Sequence, residues 1–443
     1  MAAGHPQEGA GLVAEDLRDA WDALDVEERL EGFRMLPPDE AEMLLDGLEA
    51  RDHCTLLLAL SPAERQLWMR RLAPDDAADA VQAAPPEGRE TLMAALDAAT
   101  RREVSALLAY AEDAAGGLMS PRYVPLRPDM TVDEAVSYLR RAARERVETI
   151  YYIYVIDAEQ HLLGVISFRD LFAAQPEARV RDVMRTHVIS VREDLDQEAV
   201  ANVIAENNLM AVPVLDAAGR IRGIVTVDDI VDVVREEATE DIQKIGGPEA
   251  LDAPYLEVGV LEMVRKRGGW LSVLFAGQLL TAATLSLFES ELARAVVLSL
   301  FIPLVISSGG NAGSQASTLV IRAMAMQEVR LHDWWRVMRR ELAAGLVLGL
   351  VLGGIALVSI ALWPRSDPVF GGHFLAVGLT VAVSLLWIVV WGAVSGGMLP
   401  FVLERMGFDP ASASAPLVTT LVDVTGLLIY FSVASIVLAG TLL

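Results

Sequence analysis

Apolar residues are concentrated in the second part of the chain, where they form five long stretches. These stretches cover residues 269–288, 295–319, 342–363, 374–403 and 416–443. A helix needs about 20 residues to cross the hydrocarbon core of a membrane, which is about 30 Å thick. Each stretch is long enough, so the pattern predicts five transmembrane helices in a lipid bilayer.

Residues 1–110 show a different pattern, with short leucine-rich runs of helical periodicity. Several runs begin with a proline followed by acidic residues, at Pro38, Pro62, Pro74 and Pro86. Proline is favoured at the first helical position, where its missing N–H would have no partner, and acidic residues in the first turn complement the helix dipole. The pattern predicts a helical superhelix built from degenerate repeats.

Residues 117–235 repeat an α/β pattern. The first copy predicts a helix over 131–141 and a strand over 151–156, and the second a helix over 197–205 and a strand over 211–215. Each copy ends with Gly, two apolar residues, Ser or Thr, two further residues and Asp, once from Gly164 to Asp170 and once from Gly223 to Asp229. This ending is typical of a strand that leads into a helix.

Charge separates the two parts of the chain further. The chain has 443 residues, of which 61 are acidic and 36 basic, and residues 256–443 hold 11 of each sign, so the whole net charge of −25 lies in residues 1–255. This excludes a single globular domain and argues against nucleic-acid binding, which needs a basic face. Cys54 is the only cysteine, which excludes an intramolecular disulfide and predicts a buried apolar role for its side chain.

Basic residues between the apolar stretches predict the orientation in the membrane. With the N-terminus inside, the inner segments carry nine arginines and lysines, and the outer segments carry only Arg294 and Arg365. This is the positive-inside bias. The first residues show no signal peptide, so we expect the N-terminal part to be cytosolic and the protein to be a multi-pass membrane protein.

Asp423 is the one acidic residue inside the predicted spans. It lies seven residues after Pro416, about 10 Å along a helix. A carboxylate there costs several kcal/mol unless it faces water, a cation or a partner. Since no predicted span holds a basic residue that could pair with it, the sequence favours a transported cation. The alternative is a hydrated carboxylate near the inner membrane surface.

The second predicted span holds a run of small and amide residues, from Ser307 to Ser317. Such residues can simply pack helices closely. Alternatively, Gly309 and Gly310 could break the helix before Asn311 and expose backbone carbonyls to a wet cavity. Hydroxyl, amide and carbonyl oxygens beside one carboxylate suit hydrated Mg²⁺, which prefers oxygen ligands and keeps much of its water shell.

Acidic residues also follow the second α/β copy, just before the first predicted span. On a helix, Asp229 and Asp232 are neighbours, and so are Glu237, Glu240 and Asp241. The residues of each patch repel one another, and a bridging divalent cation would turn that repulsion into attraction. The alternative is an ordinary solvated face.

The doubled ending in residues 117–235 resembles a tandem of cystathionine-β-synthase-type (CBS) regulatory domains. In such domains the Ser/Thr hydroxyl and the Asp carboxylate can bind the phosphate and ribose of an adenine nucleotide. The resemblance implies a possible ATP site at Tyr152, Ser167, Arg169 and Asp170. In the alternative interpretation, Asp170 only caps the following helix.

The whole chain resembles the MgtE family of magnesium channels. The most specific marks are the acidic run from Glu237 to Asp241, the Gly309-Gly310-Asn311 run and the segment from Pro416 to Gly426. The implied fold is multidomain, with a helical superhelical N-domain, tandem α/β CBS domains and a five-helix transmembrane domain. The predicted boundaries are 1–116 for the N-domain, 117–181 and 182–236 for the CBS domains, 237–264 for an acidic connecting helix and 265–443 for the transmembrane domain.

The resemblance also implies a mechanism. It implies a homodimer in the bacterial plasma membrane, with a pore between the two transmembrane domains and no enzymatic activity. The implied pore residues are Asp423, Asn311, Gly309, Gly310, Thr419, Thr420 and Ala415. The implied regulatory Mg²⁺ ligands, which would hold the channel closed, are Glu198, Asp229, Asp232, Glu237, Glu240 and Asp241, with Asp75, Asp76 and Asp79 as candidates in the N-domain.

The chain departs from the family pattern at two positions. Asn208 stands where the family can carry a carboxylate, and Ala415 where the pore entrance can carry Asn. Alternatives are a transporter of Co²⁺ or Mn²⁺ that uses the same residues, or a CBS-regulated channel of other selectivity. An anion channel is disfavoured because the predicted spans contain no arginine or lysine. The sequence shows no phosphate loop, nucleophile–base pair or metal triad that would indicate an enzyme.

Overall fold

The computed structural model of the protein describes residues 12–143, 147, 149–247, 251, 255, 258–363 and 373–439. The chain divides into two compact units, Met1–Arg235 and Glu236–Leu443. The first unit contains short helices and two small sheets, and the second contains long apolar helices. The finer division into five domains stays a prediction.

From residue 12 to residue 107, the described chain forms eight short α-helices, and the helical character of this region agrees with the predicted periodicity. Their bounds are α1 Ala14–Ala20, α2 Val26–Met35, α3 Pro38–Leu45, α4 Ala50–Ala59, α5 Pro62–Met69, α6 Pro74–Gln82, α7 Pro86–Ala95 and α8 Ala98–Leu107. The four prolines singled out above all occupy the first turn of a helix. Two helices also begin with a capping box, in which Glu28 pairs with Asp25 and Glu64 with Ser61.

Leucines from successive helices form the core of this helical region. Leu44, Leu57 and Leu92 are fully buried, and they belong to α3, α4 and α7. Cys54 is also buried, and burial raises the pKa of its thiol. The prediction that Cys54 acts as a small buried hydrophobe is therefore confirmed.

Two similar α/β modules follow. The first contains α9 Ala115–Leu118, β1 Pro125–Leu126, α10 Val132–Ala142, β2 Tyr152–Ile156, β3 Leu162–Ser167 and α11 Phe168–Ala173. The second contains α12 Val180–Val183, β4 Val191–Arg192, α13 Gln197–Asn207, β5 Ala211–Leu215, β6 Ile221–Thr226 and α14 Val227–Ile245. In each module the first strand pairs parallel with the second, and the second pairs antiparallel with the third. The predicted tandem α/β repeat is confirmed.

Asn208 has a structural role at the end of α13. It adopts a left-handed conformation, with φ of 51°, and forms the C-cap of the helix. Asparagine tolerates this conformation better than most residues with a side chain. The departure from the family pattern at this position therefore coincides with a helix ending that suits asparagine.

Among its described residues, the second unit contains five helices that are long and apolar enough to cross a membrane. Its helices are α15 Val260–Ser286, α16 Glu289–Arg294, α17 Ile302–Ala325, α18 Trp334–Ala361, α19 Phe374–Arg405 and α20 Ala415–Val437. The five predicted spans correspond to α15, α17, α18, α19 and α20. The observed helices are longer than the predicted spans. For this reason α18 includes Glu341 and α19 includes Glu404, although neither residue lies in a predicted span.

Glycines bring three of the long helices into close contact. A Cβ added at Gly392 of α19 would collide with the carbonyl oxygen of Gly309 on α17, and one at Gly396 with that of Gly313. A Cβ at Gly310 would lie 3.0 Å from the Thr419 methyl group on α20. A larger residue at any of these three glycines would keep the neighbouring helices further apart.

The close approach at Gly392 can be tested by adding one methyl group. In Gly392→Ala the new Cβ meets the buried backbone of α17, so we expect a loss of about 1–3 kcal/mol of stability and a lower thermal unfolding midpoint in detergent. Gly354→Ala is the matched control, because a Cβ at Gly354 of α18 meets nothing within 4 Å. The control should unfold at the same or a higher temperature. Equal midpoints for the two variants would contradict the assigned helix contact.

Candidate ion pathway and regulatory sites

Asp423 lies on α20, eight residues from the start of the helix at Ala415. Its carboxylate is half-buried, and its Oδ2 accepts a hydrogen bond of 2.8 Å from Nε2 of Gln278 on α15. Close to this bond, α15 and α20 are in direct contact, because a Cβ added at Gly277 would collide with the Thr420 methyl group. The charged residue predicted from the sequence is therefore held by a residue of the first long helix.

Hydroxyl groups and carbonyl oxygens lie along the first two turns of α20. Thr419 donates to the carbonyl of Ala415 at 2.9 Å, and Thr420 donates to that of Pro416 at 2.9 Å. Ser314 of α17 lies 3.2 Å from the same Ala415 carbonyl and 3.1 Å from the Thr419 hydroxyl. The structure thus brings together three of the predicted pore residues, Ala415, Thr419 and Gly310. Ser314 of α17, which was not predicted, lies beside them.

The glycine run of α17 does not break the helix. The helix is continuous from Ile302 to Ala325, and Gly309 and Gly310 are both buried in it. A Cβ at Gly309 would collide with Ile388 of α19. The continuous helix contradicts the alternative in which a break exposes the Gly309 and Gly310 carbonyls, and it supports close packing. The assignment of Gly309 and Gly310 to the pore stays a prediction. Asn311, the next residue, is exposed in the single chain.

The acidic end of α14 forms a charged cluster within the second unit. Nζ of Lys244 lies 2.5 Å from Oε1 of Glu240 and 2.6 Å from Oδ2 of Asp409. Burial raises the pKa of the Asp241 carboxyl, and the charges of Asp409, Glu237 and Glu240 raise it further. Burial lowers the pKa of Lys244, but the hydrogen bonds of the ammonium group to Asp409 and Glu240 outweigh burial and raise this pKa above its ordinary value. One lysine therefore faces several carboxylates.

This end of α14 is packed against the membrane helices. Ile245 packs with Ile321 of α17 and with Ala413, which directly precedes α20. Gly247, which follows the helix with φ of +94°, lies so close to Trp270 of α15 that a Cβ would be 2.6 Å from the indole Nε1. The acidic end of α14 therefore lies against α15 and the segment that leads into α20, the helices that carry Gln278 and Asp423.

The remaining predicted regulatory residues lie in the first unit, on three different helices. Asp75, Asp76 and Asp79 are on α6, where Asp75 is buried, and Glu198 is in the first turn of α13. Asp229 uses Oδ2 to accept hydrogen bonds from the backbone N–H and the hydroxyl of Thr226 at the start of α14. Asp232 is exposed and lies 3.7 Å from Arg235.

The four predicted nucleotide residues line one cleft of about 560 Å³ in the first unit. Tyr152, Ser167, Arg169 and Asp170 share it with Arg185 and His187, and with the Leu209–Ala211 segment of the second module. Ser167, and not Asp170, is the residue that caps α11, since its Oγ accepts from the backbone N–H of Asp170 at 3.0 Å. The Asp170 carboxylate instead accepts from Arg185 at 3.1 Å.

Sequence reasoning missed Gln278, Asp409 and Arg185. Arg185 directly follows the start of the second copy, Asp182-Val183-Met184, so the repeat could have drawn attention to it. Gln278 is a single amide in an apolar stretch, which was a usable signal because a polar residue at membrane depth needs a partner. No local pattern distinguishes Asp409.

The chain matches models of three protein families. The model described as the MgtE intracellular N domain matches residues 12–113, and the CBS domain model matches residues 115–177 and 180–236. The MgtE model, described as a divalent cation transporter, matches residues 302–433.

Named relatives are similar over most of their length. The magnesium transporter MgtE of Thermus thermophilus is 47% identical over 343 residues, which make up 77% of this chain and 74% of that protein. The magnesium transporter MgtE of Bacillus subtilis is 37% identical over 343 residues, 77% of this chain and 73% of that protein. Among solved structures, the chain is similar to the crystal structure of the cytosolic domain of the Mg²⁺ channel MgtE in complex with ATP. The two sequences are 44% identical, the alignment covers 50% of this chain and 90% of the other chain, and the TM-score is 0.48.

The family models together match the helical region, both α/β modules and the long apolar helices α17 to α20. The chain therefore belongs to the MgtE family of magnesium transporters, a family of multi-pass membrane proteins and not of enzymes.

Proposed function

We propose that this protein conducts Mg²⁺ across the bacterial plasma membrane and that Asp423 binds the ion in the pathway. The observation that carries this proposal is a half-buried carboxylate on an apolar helix, one turn after Thr419 and Thr420 on the same helix face. A charge at this depth costs several kcal/mol without compensation. Hydrated Mg²⁺ supplies the opposite charge, and its water shell can donate hydrogen bonds to hydroxyl and carbonyl oxygens.

Replacement of Asp423 by asparagine tests the ion site. Asp423→Asn keeps the side-chain volume and removes the charge, so we expect the Mg²⁺ flux into proteoliposomes to fall by more than about tenfold. Glu289→Gln, which removes an exposed carboxylate from α16, should keep the wild-type flux. Competition by Co²⁺ and Mn²⁺ in the same assay measures the selectivity. Wild-type flux in Asp423→Asn protein would exclude the assigned ion site.

In this proposal the pathway is completed by a second copy of the chain, in a homodimer with the N-terminus of each copy in the cytosol. The exposed amides of Asn311 and Gln315 on α17 support a dimer. An amide that faces hydrocarbon without a partner is costly, and a second copy would enclose it. The positive-inside bias of the connecting segments supports the orientation.

Regulation by internal Mg²⁺ is the second part of the proposal. We infer that Mg²⁺ binds at Glu237, Glu240 and Asp241, and that Asp229, Asp232, Glu198 and the acids of α6 contribute further sites. The grouping of Glu240 and Asp409 around Lys244 supports this, and so does the raised pKa of Asp241, which follows from burial first and then from the charges of Asp409, Glu237 and Glu240. A ligand stabilises the state that binds it better, and the packing of Ile245 against α17 offers a route from this cluster to the pathway.

The triple variant Glu237→Ala, Glu240→Ala, Asp241→Ala tests the regulatory cluster. We expect the internal Mg²⁺ concentration that halves the flux to rise by more than about tenfold, because the variant loses three oxygen-ligand side chains. The charge-matched control changes three exposed acids of the helical region, Glu27, Glu31 and Asp39, to alanine and should keep wild-type inhibition.

Limited proteolysis separates specific binding from screening. The wild-type chain should resist cleavage better with Mg²⁺ than with EDTA, and NaCl at the same ionic strength should not replace Mg²⁺. Equal protection by NaCl would mean that simple screening explains the effect and that the acidic run is a solvated face.

We further propose that the cleft of the first α/β module binds ATP as a regulator. Its volume of about 560 Å³ lies in the range of small-molecule sites. Arg169, Arg185 and His187 provide cationic or polar groups for phosphates, and the Tyr152 ring provides a surface for a base. The Asp170 carboxylate is an acceptor for ribose hydroxyls.

Calorimetry on the full chain tests the nucleotide site. Asp170→Ala should weaken ATP binding by about tenfold or more, the effect of losing a hydrogen bond to a charged group. Asp182→Ala removes an exposed carboxylate from neighbouring α12 and should bind ATP like the wild type. If the wild-type chain releases no heat with ATP, the motif is structural.

A further inference from the structure

The first long apolar helix carries one amide that reaches the ion-site carboxylate. Gln278 of α15 donates from Nε2 to Oδ2 of Asp423 at 2.8 Å, across 145 residues of sequence. An ionised carboxylate can only accept hydrogen bonds, so the amide must present its NH₂ group to it. A hydrogen bond to a charged acceptor is stronger than one between neutral groups.

The backbone contact beside this bond explains why Gln278 can reach Asp423. Gly277 lets α15 approach α20 so closely that any side chain there would collide with Thr420. Thr420 lies three residues before Asp423, which places it on the same face of α20 one turn away. A close contact of the two helices therefore lies directly beside the Gln278–Asp423 pair.

We propose that Gln278 is a positioning residue for the ion site: it holds one carboxylate oxygen of Asp423 so that the other faces the permeating ion in a fixed orientation. This inference rests on the proposed function of Asp423. Groups that hydrogen-bond a metal ligand orient it, and their loss typically lowers metal affinity by about 10–100-fold. A freely rotating carboxylate would bind the same ion more weakly, because binding would have to pay the entropy of fixing its orientation.

The test compares two variants of the full chain in proteoliposomes. Gln278→Leu removes the amide at similar volume, and Gln278→Asn keeps an amide that is one methylene too short. In both variants we expect the half-saturating Mg²⁺ concentration to rise by about tenfold, and the preference for Mg²⁺ over Ca²⁺ to fall, while the maximal flux per inserted protein changes much less. Ser272→Ala, on the same helix, is the control, since its hydroxyl bonds only to the Gly268 carbonyl of its own helix among the described contacts.

Several outcomes would overturn the proposal. A uniform loss of maximal flux at unchanged half-saturation and ion preference would mean that Gln278 has only a packing role. Wild-type half-saturation in Gln278→Asn would mean that the position of the amide is irrelevant, and this variant decides the question if Gln278→Leu does not insert. The proposed function is judged separately, by Mg²⁺ flux in the wild type and its loss in Asp423→Asn.

Discussion

The cost of placing a charge inside an apolar helix bundle is the constraint on which the membrane unit depends. Asp423 sits on a helix of high hydropathy, where an uncompensated carboxylate would favour a different structure or a protonated state. The protein supplies one hydrogen bond from Gln278 and surrounds the start of α20 with hydroxyls and carbonyls. In the proposed function the permeating cation supplies the remaining compensation, and a site that is only partly compensated by the protein allows a cation both to bind and to leave.

Glycine allows the helices of the membrane unit to pack closely. The carbonyl of Gly309 packs against Gly392, and the carbonyl of Gly313 packs against Gly396, so α17 and α19 meet along their backbones. Lipid tails are as apolar as leucine, so close packing and hydrogen bonds replace the hydrophobic effect as the force between such helices. The small residues of α17 therefore act first as a packing face, and any contact of theirs with the ion depends on that packing.

Features set by nearby residues could be predicted from the sequence, and features set by distant partners could not. The long apolar stretches, the prolines that begin helices and the repeated Gly-to-Asp endings are local, and the structure confirms them. Gly309 was ambiguous because glycine both breaks helices and packs them, and the deciding neighbour, Ile388, is far along the chain. The pairing of Lys244 with Glu240 follows from helical spacing, but its second partner, Asp409, lies 165 residues away.

The two α/β modules show how one motif can serve two purposes. In the second module the Asp229 carboxylate turns back to Thr226 and stabilises the start of α14, the helix that carries the acidic cluster. In the first module Ser167 provides the cap, so the Asp170 carboxylate is available to Arg185 at the edge of a cleft. The same residue types thus support a helix in one copy and line a candidate ligand site in the other.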